Sequence, residues 1–183
     1  MTPEQRRVHD QVVAGPRGVL IGPLRAAIHS PELAERWSAL GEFLRYRTVL
    51  PKRLNELAIL VCGRHWSAQV EWWVHARAAA EAGLPAEIIE AMLHGKMPRF
   101  DDTEERGVYD FARLLLATGR VPLPEYQAVE RRWGARGVVE LTALVGYYSM
   151  VAMTLNAHEI PLPAGVAEPL AVPAAGVVPL PGR

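Results

Sequence analysis

At 183 residues the chain is long enough to bury a sizeable core. Apolar residues make up 50% and charged residues 22%, and the formal net charge is zero, which removes any overall electrostatic case for nucleic acid or an anionic membrane surface. The single cysteine, Cys62, excludes an intramolecular disulfide and a Cys-x-x-Cys redox pair.

In chain order, the first ten residues are polar and carry no apolar signal core, and no run reaches the ~18 consecutive apolar residues that span a bilayer. A cytoplasmic protein is the expectation. A short helix over 3–13 is broken by Gly15-Pro16 and again by Gly22-Pro23. Residues 18–21 are the only strand candidate, and they are too few to count. Ser30-Pro31-Glu32 reads as a helix start, with Ser as N-cap and Pro at the first helical position. That helix runs to about Tyr46, with Leu33, Trp37, Leu40 and Leu44 at helical spacing.

Pro51 opens the next helix, with Leu54, Leu57, Ala58, Val61 and Cys62 as its apolar positions. Ser67 is the expected cap of a helix that Gly83 ends. A short helix follows Pro85 and closes near His94-Gly95. Asp101 to Glu105 form an acidic helix start, favourable for the helix dipole, and that helix stops before Gly119. Helices over 124–133 and 135–157 complete the set, the last being the most apolar.

The predicted fold is therefore all-α, divided into an N-terminal extension (1–30), a helical domain (31–160) and a Pro-rich tail (161–183). The tail holds six prolines and two charges, cannot continue a helix, and is apolar enough to pack over its own subunit or a neighbour.

Glu71 and His75 carry the strongest chemical signal. Four residues advance a helix by about 400°, which places both side chains on one face. Val70, Trp72, Trp73 and Val74 surround them, so the pair is expected to be partly buried. A carboxylate beside an imidazole can fix its tautomer or share a proton with a substrate. Glu56, His65, Glu71 and His75 are all metal-ligand types, but their spacing matches no metal motif, and no metal or cofactor is expected.

The run Leu50-Pro51-Lys52-Arg53-Leu54-Asn55-Glu56-Leu57-Ala58, then Glu71-Trp72-Trp73-Val74-His75, then Gly83-Leu84-Pro85, and the late run from Glu140 to Ala152, resemble the carboxymuconolactone decarboxylase family, which includes the alkylhydroperoxidase D-like proteins. The resemblance implies an alkylhydroperoxidase D-like helical bundle with an antiparallel helix hairpin at its core. The redox branch of that family carries two cysteines where Ala68 and Glu71 stand, so dithiol peroxidase chemistry is not expected here. The decarboxylase branch carries Glu-x-x-x-His where Glu71 and His75 stand.

The implied activity is that of a cofactor-free lyase or isomerase. Its substrate would be a small carboxylated or lactone compound of aromatic breakdown. His75 is the implied acid/base, Glu71 its orienting partner, and Glu56 a second carboxyl group across the pocket. Arg64, His65 and Trp66 are the implied substrate-binding residues. An anionic substrate needs a cation, and Arg45, Arg47, Arg53, Arg64 and Arg77 are the candidates. The alternatives are a peroxidase-like antioxidant protein and a non-catalytic oligomeric binding protein. The expected partners are a small-molecule substrate and further copies of the chain, as a trimer or hexamer, with no nucleic acid and no membrane.

Overall fold

The computed structural model describes residues 1–15, 18, 22–173 and 175–182, and among them all regular structure is helical. The candidate strand at 18–21 falls almost wholly outside the described residues. The elements are α1 (Pro3–Ala14), α2 (Leu24–Ala27), α3 (Pro31–Tyr46), α4 (Lys52–His65), α5 (Gln69–Glu81), α6 (Ala86–Leu93), α7 (Thr103–Thr118) and α8 (Leu123–Ala157).

α4 is the centre of the molecule and packs against α5, α7 and α8. An amphipathic helix with one inward stripe is what its sequence pattern predicts. Instead, every residue from Leu54 to Arg64 is buried. A helix covered on all sides buries its polar residues along with its apolar ones, which is why Asn55 and Glu56 lie inside the protein. The Asn55 amide nitrogen is bonded locally: its Nδ2 donates to Leu44 O at 3.2 Å and Thr48 Oγ1 at 2.7 Å. These bonds pin the α3–α4 loop and so hold the end of α3 beside Glu56.

α5 returns along α4 after a three-residue turn. Gly63 approaches Glu71 near the turn, and Glu56 meets His75 farther from it, so the two helices run antiparallel. Ser67 does not cap α5; Ala68 holds the N-cap position without a side-chain bond. Ser67 instead takes a left-handed turn conformation (φ 50°), and its Oγ accepts from Arg64 Nη1. Ser30 likewise precedes α3 without a side-chain capping bond. By contrast Asp102 caps α7 by accepting from Glu104 N at 2.7 Å, and Gly119 ends that helix with φ 69°.

α8 is interrupted at Gly134 (φ 67°), a left-handed conformation that favours glycine, so its two parts match the predicted helices over 124–133 and 135–157. One window of α8 has a mean hydropathy of 1.5 and is long and apolar enough to cross a membrane, contrary to the count of consecutive apolar residues. That window is 61% buried inside the protein, as in a core helix.

The tail packs over its own chain. Leu170 and Leu180 are buried in the core cluster. Gln69 and Leu170 exchange two hydrogen bonds, Nε2 to O at 2.8 Å and N to Oε1 at 2.9 Å. Val178 N donates to His65 O at 2.8 Å, and Tyr109 Oη donates to Pro181 O at 2.9 Å. Burial of Tyr109 pushes its phenol up to about 12, so it stays a donor at ordinary pH.

Candidate functional site

The α4–α5 hairpin brings Glu56, Glu71 and His75 together at its inner face, where all three are buried. The pairing differs from the sequence expectation. His75 Nδ1 lies 2.6 Å from Glu56 Oε2, across the hairpin, whereas no hydrogen bond joins His75 to Glu71. The expected i,i+4 partner shares the helix face but does not orient the ring; the residue from the neighbouring helix does. A carboxylate can only accept, so the bond places the imidazole proton on Nδ1. The ring of Tyr148, from α8, meets His75 edge-on at 5.1 Å and 85°.

His75 and Glu71 line a cavity of about 580 Å³. Its other walls come from α2 and the residues before it (Gly22, Pro23, Leu24, Arg25), from Arg45 at the end of α3, and from α8 (Tyr147, Tyr148, Val151, Leu155). Residues 160–164 close one side. This is the size and apolar character of a small-molecule site with a few convergent polar groups.

The structure also ranks the arginines. Arg47 pairs with Glu42, Arg53 with Asp102 and Glu105, and exposed Arg77 lies over the Trp73 ring. Arg64 donates to Ser67 and to Ala171 O. Arg45 alone of the five lines the cavity. Its Nε lies 4.0 Å from Glu56 Oε1, which is an ion pair but too long for a hydrogen bond. Arg25, on α2, is a second cation on the wall, and no sequence pattern pointed to it.

Unpartnered polar atoms gather here. Among the described residues, Arg45 Nε, Glu56 Oε1 and both Glu71 oxygens are buried without a hydrogen bond. Native proteins satisfy nearly all such atoms, so a cluster of them around one cavity is the mark of a place built for a ligand or ordered water. Burial pushes the Glu71 carboxyl well above its ordinary value.

The three predicted substrate-binding residues lie elsewhere. Arg64, His65 and Trp66 sit at the hairpin turn and do not line this cavity. Arg64 and His65 hold the tail: Arg64 bonds Ala171 O, and His65 Nδ1 lies 3.1 Å from Val178 O. Burial lowers the His65 pKa, although its bond to the Val178 carbonyl acts the other way. Trp66 borders an adjoining hollow of about 800 Å³, which shares Val70, Leu155 and residues 160–162 with the cavity wall.

Cys62 is fully buried, and its Sγ lies 3.7 Å from Val145 O. Burial pushes its thiol well up, away from the thiolate that sulfur chemistry requires. Among the described residues no group of three or more His, Cys, Asp or Glu side chains is placed to hold a metal ion. Tyr147 and Tyr148 are both buried and also form cavity wall. No protein-family model matches the chain, and no curated protein is significantly similar to it.

Proposed function

We propose that this chain is a lyase or isomerase that works by proton transfer on a small carboxylated or lactone substrate, of the kind met in aromatic breakdown. The observation that carries the reading is the buried Glu56–His75 pair, whose imidazole lines an apolar cavity that Arg45 also lines. In this reading the carboxylate of the substrate faces Arg45. Loss of carbon dioxide leaves the bonding electron pair on the substrate as an enolate. His75, its imidazolium stabilised by Glu56, delivers a proton to carbon and is reprotonated from water. The roles of the two glutamates are thereby exchanged relative to the sequence expectation: Glu56 orients and Glu71 faces the substrate.

The resemblance of residues 50–95 and 140–152 to the carboxymuconolactone decarboxylase family supports the same chemistry and an alkylhydroperoxidase D-like bundle. The peroxidase alternative has no support at Cys62, which is buried and has no second thiol. Assembly as a trimer or hexamer belongs to the reading as well. Trp72 offers no surface for it, being 3% exposed in the subunit's own core. Exposed Val139 and Met153 on α8, with Leu33 and Leu40 on α3, are the apolar surface that neighbouring copies would cover.

The test is a screen of carboxylated lactones and β-keto acids with carbon dioxide release as the readout. Turnover of at least one substrate is expected, with Cys62→Ser retaining it. Activity lost in Cys62→Ser but kept in His75→Ala would overturn the proton-transfer reading.

A further inference from the structure

Glu71 is the one cavity residue whose state the Glu56–His75 pair leaves unexplained. It is 2% exposed, it lines the cavity, and neither of its oxygens has a hydrogen-bond partner among the described residues. A buried carboxylate held for structural reasons is paired or hydrogen-bonded, because an unpaired one costs several kcal/mol. Glu105 illustrates that arrangement: it is equally buried but is joined to Arg53, which also bonds Asp102. Glu71 has no such partner.

The groups facing it are Cys62 and Gly63 from α4, Tyr148 from α8, and, on the same cavity wall, Arg45 from α3 and His75 from its own helix. None of them is bonded to it. Glu71 stands in the first turn of α5, where the helix dipole favours the anion, but that effect is worth ~0.3–1 kcal/mol and is smaller than the burial penalty. Burial therefore outweighs the dipole and pushes the carboxyl well above its ordinary value, toward the neutral acid.

The geometry points to Glu71 as a hydrogen-bond donor to a ligand oxygen, making the cavity a receptor for planar, enolisable carbonyl compounds whose oxygen gains negative charge. A neutral acid in an apolar site donates a strong hydrogen bond to a developing oxyanion, and needs no reorganisation to do so. The preferred ligand carries a carbonyl or enolate oxygen toward Glu71. Its apolar body lies against Tyr147, Tyr148 and Val151. The inference rests on the proposed proton-transfer reading for its reaction, but it is tested by binding alone.

The probe is 4-nitrophenol, a planar phenol whose ionised form absorbs visible light. At a pH below its own pKa, the intact protein is expected to bind it as the phenolate, its proton passing to the His75–Glu56 pair or to buffer. Glu71→Leu is expected to weaken binding about tenfold, the effect of one charge-assisted hydrogen bond. Glu71→Gln, which keeps a neutral donor, should stay within about threefold. Infrared difference spectra of the wild type should show a protonated carboxyl band at neutral pH that shifts on adding the probe and is absent from Glu71→Gln. That spectrum keeps the test decisive even where Glu71→Leu does not fold. Failure of the wild type to bind the probe, binding as the neutral phenol, equal affinity in Glu71→Leu, or an ionised Glu71 in the infrared spectrum would each overturn the inference. None of these bears on His75 as the acid/base, whose own test is turnover.

Discussion

The middle of the α4–α5 hairpin and its turn carry similar side chains and put them to different uses. Both have a histidine, and both bury ionisable groups: Glu56 and, nearer the turn, Glu71 beside the cavity, and Arg64 at the turn. At the turn the polar groups meet main-chain atoms of the tail, at Ala171 and Val178. In the middle, Glu56 Oε2 meets His75 Nδ1, while Glu56 Oε1, both Glu71 oxygens and Arg45 Nε lack a hydrogen-bond partner among the described residues; at the turn Arg64 Nε and Trp66 Nε1 lack one as well. Polar groups that close on the protein's own backbone hold the fold together. Polar groups left open toward a cavity are available to a ligand.

The sharpest way to break this comparison is to remove each histidine in turn. His75→Ala is expected to lower turnover by ~10² or more while the protein stays folded, because the proton carrier is gone. His65→Ala should leave turnover within a few-fold and lower thermal stability instead, since it deletes a ring that touches the tail and not the cavity. Steady-state rates and melting curves on the two variants decide the matter. Equal loss of turnover in both would mean that the turn belongs to the site after all.

The sequence made much of this legible. Helix boundaries followed from Pro31, Pro51, Gly83, Asp102 and Gly119, whose effects are local and act within one turn. The convergence of Glu56, Glu71 and His75 was legible too, because a helix hairpin with a short turn brings its inner faces together. Which glutamate bonds the histidine was not. Spacing within one helix favoured Glu71, whereas the bond is set by the separation of two helices, and that is a packing distance. The role of Arg64 and His65 was hidden for a similar reason: their partners lie 107 and 113 residues further along the chain. Arg45 stood among five equal candidates until packing tied up the others or turned them away from the cavity. Arg25 had no signal at all, since α2 is four residues long and no pattern marks it.

A second, smaller effect separates open carboxyls from closed ones. Burial raises the Glu71 carboxyl well above its ordinary value. From the unfolded value of about 4.3 upward, the folded chain then holds a proton that the unfolded chain has lost. The stability that goes with this proton is fully present below that pH and is lost as pH rises toward the folded value. Glu71→Gln cannot ionise and escapes the loss. It should melt near the wild-type temperature at pH 4 and above it at pH 7, the difference growing with pH. Calorimetry across that range measures it. A constant difference between the two proteins would mean that the Glu71 carboxyl titrates alike in the folded and unfolded chains, and a difference that shrinks with pH would mean that it is charged and paired when folded.

The smallest effect sharpens the turn itself. Gln69, the first residue of α5, holds the tail by a two-way amide exchange with Leu170, donating at 2.8 Å and accepting at 2.9 Å. Gln69→Ala removes both bonds, and the net loss is ~1 kcal/mol because water replaces part of what is lost at a half-buried position. Spread over a chain of this size, that is a shift of roughly 2–4 °C in melting temperature. Hydrogen exchange locates it better. The Leu170 amide, which donates to Gln69, should lose protection, while the Val178 amide, bonded to His65 O, keeps its own anchor. Turnover should stay within about twofold, since Gln69 does not line the cavity of Glu71 and His75. Unchanged protection at Leu170 would show that the tail is held there by burial of its leucine side chain and not by the amide pair.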